Sequence, residues 1–297
     1  MSKEVPGANW RTWLELGRVS NLPTIWTNGL TGWLLAGAAL DAAQLLHLLA
    51  TLSLFYLGGT YLNDAFDAQI DAKEYSERPA LQGNMAPRTV ALLGAAMLGL
   101  GVLLAFLLNV PAGLCGLALA LAILLYDWLH KQISWGPVIM GICRLLTYFL
   151  GALAVAKLSW PVMLGAFGLF CHVVGLTHAV KLKAYHRVIA IWPLVIMAVP
   201  VLVLMTMVAL DDTDAGLTRV VLTGTMLAAY LLWCGGALAR LFRRQPEDIS
   251  KAIVGLIAAI ALYDAVLIAT TGAVDIALLA VVAFLATLAL QRLAPGA

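Results

Sequence analysis

Apolar stretches close to twenty residues long succeed one another from residue 22 to residue 291, broken by short polar segments. A helix needs roughly 20 apolar residues to cross the ~30 Å hydrocarbon layer of a bilayer. Ten segments approach that length: 22–40, 43–63, 88–108, 111–129, 135–156, 160–180, 188–209, 216–241, 251–271 and 274–291. The pattern predicts an all-α, polytopic membrane protein. Only Thr271-Gly272-Ala273 and Asp275 separate the last two segments. Two readings follow, a bundle of nine transmembrane helices with an interfacial tenth, or a bundle of ten. The first 21 residues are patterned differently. Lys3, Glu4, Arg11, Glu15 and Arg18 are mixed with Trp10 and Trp13, as in an amphipathic segment lying on a membrane surface. The expected organisation is a single transmembrane domain over 1–297, with a cytoplasmic lead-in over 1–21 and no cleavable signal.

Composition supports the class. Hydrophobic residues make up 62% of the 297 and charged residues 11%, with a mean hydropathy of +0.93. A soluble globule carries about a quarter charged residues, so that class is excluded. The chain has 18 Lys and Arg. All of them except Arg144, Lys157, Arg219 and Arg292 fall on one side if the amino terminus is cytoplasmic. The expectation is a multi-pass protein of a bacterial inner membrane with the lipid bilayer as its partner. A formal net charge of +2, with no basic stripe interleaved with aromatics, argues against nucleic acid. Cys115, Cys143, Cys171 and Cys234 stand far apart in apolar runs, as buried small hydrophobes do.

Against this background, the stretch Tyr61-Leu62-Asn63-Asp64-Ala65-Phe66-Asp67-Ala68-Gln69-Ile70-Asp71 stands out. Steps of three and four place Asp64, Asp67 and Asp71 on one helical face. Like charges so arranged repel by about 0.2–0.5 kcal/mol per pair, and a cation would offset that. Mg²⁺ takes oxygen ligands, commonly one or two carboxylates together with substrate phosphate. The three aspartates are therefore candidate Mg²⁺ ligands, and the plain alternative is a solvated acidic loop. Glu74 and Glu77 extend the cluster, with Lys73 and Arg78 as neighbouring cations. The long connection between the second and third spans is of the kind that covers or completes a site.

Other polar positions need partners too. Ser20 or Asn21 is placed to cap the first span, with Pro23 in its first turn. Asn28, inside that span, either ties helices together or touches substrate. Gly58 and Gly59 permit close backbone approach or local unwinding before the aspartates. Arg144 and Asp264 each cost about 2.5–3.5 kcal/mol at a bilayer centre. Each is expected to face the bundle interior, either paired with the other or, for Arg144, meeting phosphate.

The run Asn63-Asp64-x-x-Asp67-x-x-x-Asp71, followed by Glu77-Arg78-Pro79 and Gly83, resembles the first aspartate motif of the UbiA superfamily of intramembrane prenyltransferases. Tyr126-Asp127-Trp128-Leu129-His130-Lys131 is similar to that family's Tyr-x-x-x-Lys-Arg type loop. Arg18-Val19-Ser20-Asn21-Leu22-Pro23 and Leu81-Gln82-Gly83 are also similar to an EboC-like branch. The resemblance implies a helical bundle around a central cavity, Mg²⁺ on a prenyl diphosphate, and transfer of the prenyl group to a small cyclic or aromatic acceptor. It implies catalytic roles for Asp64, Asp67, Asp71, Lys131 and Arg144. Substrate contacts would come from Asn28, Asn63, Arg78, Tyr126, His178, Lys181, Lys183 and Arg187.

One part of the family pattern is missing. Where the second aspartate motif belongs, the chain reads Gly175-Leu176-Thr177-His178-Ala179-Val180-Lys181-Leu182-Lys183-Ala184-Tyr185-His186-Arg187, without a carboxylate. Lys181, Lys183 and Arg187 can pair with phosphate oxygens directly, although a positive-inside loop would carry such residues anyway. His172 and His178 read as packing or cavity lining. A noncatalytic isoprenoid-binding relative and a small-molecule transporter are the alternative functions.

Overall fold

The computed structural model describes residues 10–39, 41–74, 86–130, 133–185, 195–210, 216–243 and 245–293, with side chains undescribed in parts of these segments, notably 69–74 and 179–185. Every regular element among them is helical. Helix α1 (Trp10–Leu16) and a 3-10 turn (Val19–Asn21) lead into α2 (Leu22–Leu35), α3 (Ala42–Glu74), α4 (Pro87–Leu108) and α5 (Val110–Leu129). There follow α6 (Gly136–Ala154), α7 (Trp160–Tyr185), α8 (Val199–Ala209), α9 (Leu217–Arg243), α10 (Pro246–Thr270) and α11 (Val274–Leu293). By length and composition, eight of the described helices suit a bilayer crossing, α3 to α7 and α9 to α11. The bundle is thus the expected all-α membrane fold; two predicted spans carry described helices shorter than the rest, 188–209 being described only from residue 195 onward.

The first of these is α2, 14 residues where 22–40 was expected. Gly37 adopts φ +73° just past its end, and the Asp41 carboxylate accepts the Gln44 N–H at 2.8 Å to start α3. Asn21 stands at the N-cap position of α2, but its side chain makes no cap bond. Its Oδ1 instead accepts from Gln291 Nε2 at 2.8 Å. That contact decides the fate of the last segment: α11 begins beside the α10 terminus and ends against the start of α2, so it runs the full height of the bundle.

The second predicted span was to end at the aspartates. Instead α3 continues through them as one helix of 33 residues. Gly58 and Gly59 do not unwind it; Gly58 serves close approach, since a Cβ there would stand 2.9 Å from the Gly94 carbonyl oxygen on α4. Small-residue contacts of this kind drive helix association in lipid, where no hydrophobic gain is available.

At the middle of the bundle lie α2 and α10. From Ala258 to Ala269, α10 is buried almost without a break. Helices α2 and α6 cross backbone to backbone: a Cβ on Gly32 would land on the Tyr148 carbonyl, and one on Gly151 on the Gly29 carbonyl. Gly32→Ala and Gly151→Ala are each expected to cost about 1–3 kcal/mol through overpacking, read as a lower unfolding temperature in detergent. Gly99, which faces open space, supplies the control Gly99→Ala, and equal stability of all three variants would refute so close a crossing.

The two ends of the bundle differ in charge. Lys157 and Arg219 lie at the end opposite the aspartates, where Ser159 Oγ donates to the Leu35 carbonyl at 2.9 Å and Arg219 donates to the Thr270 carbonyl. The four cysteines are free and buried. His172 is a packing residue, with Nε2 2.9 Å from the Leu256 carbonyl and Nδ1 3.1 Å from the Tyr230 hydroxyl.

Candidate active site

A cavity of about 520 Å³ opens between α2, α3, α5, α6, α7 and α10. Its walls are apolar: Phe55 from α3, Leu119 and Ile123 from α5, Val173 and Leu176 from α7, and Ile257 from α10 are among the lining residues. Polar side chains enter at two levels. Arg18, Asn63, Tyr126 and Asp127 stand at the mouth, and Arg144 lies deeper.

The mouth is held by a chain of side-chain contacts. Arg18 adopts φ 43°, a left-handed conformation that costs a non-glycine residue about 1–2 kcal/mol. The Tyr56 hydroxyl donates to its carbonyl at 3.1 Å. From there Arg18 Nη2 donates to Asn63 Oδ1 at 3.2 Å and to Asp64 Oδ1 at 3.0 Å. Asn63 Nδ2 donates in turn to Asp127 Oδ1 at 3.2 Å. On the next turn of α3, Asp67 Oδ1 lies 3.3 Å from His130 Nε2, an ion pair when the imidazole is protonated. The His130 ring stacks on Tyr126 with centroids 5.0 Å apart. Repulsion along the aspartate face is therefore relieved partly by the Arg18 guanidinium, where the sequence pointed to a metal together with Lys73 and Arg78. The Arg18–Asp64 pair is part-exposed, so its own stabilisation is only about 0–1 kcal/mol.

The deeper level centres on α6. Arg144 Nη1 donates to Asn28 Oδ1 at 2.8 Å and to Thr24 Oγ1 at 3.1 Å. Asn28 Nδ2 donates to Asp264 Oδ2 at 2.7 Å, and the Tyr148 hydroxyl donates to Asp264 Oδ1. Arg144 and Asp264 thus do not form the expected direct pair; an amide stands between them. Asn28 is fully buried, and its hydrogen bonds tie α2 to α6 and α10; it is not among the residues that line the cavity.

Of the residues expected at the site, Asn63, Asp64, Asp67 and Tyr126 converge at the mouth, and Arg144 reaches the same cavity. His178 is half-buried on α7, next to the lining residue Thr177. Asp71, Lys181 and Lys183 lie on described helices, but their side chains are outside the described residues, as are Arg78, Lys131 and Arg187 altogether. Arg18, Asp127 and His130 carry contacts that sequence reasoning did not assign. Asp127 carried a signal of its own, a carboxylate within the apolar run 111–129, which calls for a partner.

Mg²⁺ is tested here by the donors present. Asp64, Asp67 and Asp127 supply oxygen, the donor type a hard cation takes. Asp127 is buried, and its Oδ2 has no hydrogen-bond partner among the described residues. No three His, Cys, Asp or Glu side chains among the described residues gather round one point. Mg²⁺ needs only one or two carboxylates beside substrate phosphate, so the donor set fits.

The fold and site together define an intramembrane helical protein with an apolar chamber capped by carboxylates. The chain belongs to the UbiA prenyltransferase family, which matches residues 21–294. It is 29% identical over 151 residues to digeranylgeranylglyceryl phosphate synthase of Thermococcus gammatolerans, covering 50% of this chain and 55% of that one. With the Methanopyrus kandleri synthase it is 30% identical over 121 residues, 41% of this chain and 44% of that one. The matched stretch thus spans about half the length of these curated relatives. A solved structure concerned with digeranylgeranylglyceryl phosphate synthase in membranes shares the fold with TM-score 0.62 and 21% identity, covering 89% of this chain and 98% of that one. A UbiA homologue from Archaeoglobus fulgidus, bound to DMAPP and Mg²⁺, superposes with TM-score 0.58 at 12% identity over 84% of this chain and 99% of that one.

Proposed function

We propose that this protein transfers a prenyl group from a prenyl diphosphate to a small-molecule acceptor inside the membrane. The observation that carries this reading is the apolar chamber of about 520 Å³ capped by Asn63, Asp64 and Asp127 and flanked by Asp67, in a chain of the UbiA family. The mouth faces the cytoplasm, as the distribution of Lys and Arg favours.

Asp64 and Asp67, with Asp71, would hold Mg²⁺, which when bound would supply positive charge to the departing diphosphate. Arg18 contacts Asp64 and His130 contacts Asp67, and the N–H donors of both can turn to phosphate oxygens. Lys181, Lys183 and Arg187 supply cations for phosphate oxygens in place of the missing second aspartate motif, with Arg78 and Lys131 as further phosphate partners. The bond between prenyl C1 and the diphosphate oxygen breaks, with the electron pair leaving on the diphosphate. C1 then bonds to a nucleophilic carbon, oxygen or nitrogen of the acceptor, which gives up a proton. Phe55, Leu119 and Ile257 exclude water from the allylic cation and bury the isoprenoid tail at about 0.8 kcal/mol per CH₂.

Purified protein with Mg²⁺, labelled dimethylallyl, geranyl or geranylgeranyl diphosphate and a panel of acceptors is expected to yield prenylated product, and EDTA is expected to abolish it. Binding of the diphosphates without product across the panel would favour the noncatalytic isoprenoid-binding reading.

A further inference from the structure

Helix α9 packs chiefly along one neighbour, α10. It buries Thr223, Met226, Tyr230, Cys234 and Ala237 and leaves much of the rest of its surface exposed. The spacing of its charges fixes its level in a bilayer. The 20 residues from 220 to 239 hold no charged side chain, and Arg219 and Arg240 bracket them. At 1.5 Å per residue that stretch measures about 30 Å, the thickness of the hydrocarbon layer. Arg219 marks the end of the bundle opposite the aspartates, where it donates to the Thr270 carbonyl. Arg240 therefore emerges at the level of the lipid phosphates on the aspartate side, with Arg243 one turn further out.

At that level the helix carries more than charge. Arg240 and Arg243 are both exposed, and neither makes a hydrogen bond or ion pair with a described residue. Glu247, in the first turn of α10, is engaged instead by Lys251 at 3.5 Å. Steps of four, four and three place Leu232, Gly236, Arg240 and Arg243 on one stripe of the helix. A Cβ added at Gly236, or at its neighbour Gly235, would meet nothing within 4 Å. The backbone is thus bare about 6 Å below Arg240 and about 10 Å below Arg243. One turn deeper, Leu232 is 78% exposed.

Read inward from the surface, the stripe offers two cations, bare backbone and an apolar side chain. A glycerophospholipid presents its phosphate, glycerol and acyl chains in that order. The bias of Lys and Arg toward one side of a membrane accounts for cations in this segment, but it does not call for two on one stripe above an open backbone.

We propose that this end of α9 binds one anionic glycerophospholipid of the surrounding leaflet, with its phosphate between Arg240 and Arg243 and its glycerol and first acyl carbons laid over Gly236. The guanidinium fork suits phosphate oxygens, and Lys or Arg at a membrane surface favours anionic lipid. No residue of α9 lines the chamber of the candidate active site, so the site is separate from it and independent of the transferase reading.

The test is native mass spectrometry of the full-length protein in detergent, offered equal amounts of phosphatidylglycerol and phosphatidylcholine with the same acyl chains. Wild type is expected to retain phosphatidylglycerol about 10- to 30-fold in preference, as two interfacial arginines provide. Arg240→Gln combined with Arg243→Gln is expected to erase that preference. Arg88→Gln, which removes another exposed cation at the same end of the bundle, is expected to leave it unchanged. Gly236→Leu keeps both arginines but fills the bare stretch, so less phosphatidylglycerol should stay bound while the preference over phosphatidylcholine persists.

Equal retention of the two lipids by wild type overturns the proposal without any variant having to fold. A preference that survives in the double arginine variant, or that falls as far in Arg88→Gln, overturns it by making the attraction a diffuse property of the surface. Undiminished binding in Gly236→Leu removes the lipid from this stripe. A disulfide between two copies of Leu232→Cys in phosphatidylglycerol nanodiscs would also overturn it, since a second copy of the chain would then cover the face.

Discussion

Asp67→Asn is expected to reduce prenyl transfer by at least about 1,000-fold, since several kcal/mol of transition-state stabilisation depend on metal-bound diphosphate and each 1.36 kcal/mol is a decade of rate. Asp64→Asn is expected to act in the same direction. The two differ in a way that separates metal binding from architecture. Asp64 shares Arg18 with Asn63, so its replacement also loosens the link from the lead-in to α3, whereas Asp67 is paired with His130. Binding of Mn²⁺ in the presence of a non-hydrolysable prenyl diphosphate analogue, followed by electron paramagnetic resonance, reads the metal directly. Both variants should stay folded in detergent and lose that signal. Wild-type turnover in Asp67→Asn would remove this aspartate from the mechanism.

The second large effect is on stability. Asp264→Leu is expected to cost about 3–5 kcal/mol, because it leaves Arg144 as an uncompensated charge in the bundle and strips the Asn28 amide and the Tyr148 hydroxyl of their acceptor. Unfolding followed in detergent should show the loss as a large fall in transition temperature. The double variant Arg144→Met with Asp264→Leu should recover much of it, since replacing a whole buried ionic group by apolar side chains is often neutral. With the single variant Arg144→Met measured as well, the cycle yields the coupling energy of the two charges. If Asp264→Leu is as stable as wild type, Asp264 does not carry the counter-charge.

The coupling also explains why Arg144 was difficult to place from the chain alone. Arg144 and Asp264 are 120 residues apart, and the partner that joins them, Asn28, lies before both. Each of the three looked like an isolated polar residue in an apolar run. Hydropathy shows that such residues need partners but does not say which, because pairing depends on which helix faces meet. The same holds at the mouth. Arg18 looked like one of several lead-in charges until the turn at residues 19–21 brought its guanidinium over Asn63 and Asp64.

What the amino-acid sequence determined by itself is local or additive. Apolar run length set the membrane class and most of the described helix boundaries, because the bilayer demands a given length of apolar helix whatever its neighbours. The 3.6-residue repeat put Asp64 and Asp67 on adjacent turns of α3, and the family motif around them was readable for the same reason. Only tertiary structure decided that α2 ends at Leu35, that α3 runs on through the aspartates, that α11 reaches Asn21, and that Asp127 joins Asn63. These outcomes depend on contacts between residues as far apart as Asn21 and Gln291. In an apolar interior a polar side chain takes whatever partner the packing of the helices presents, and that packing is a property of the assembled bundle.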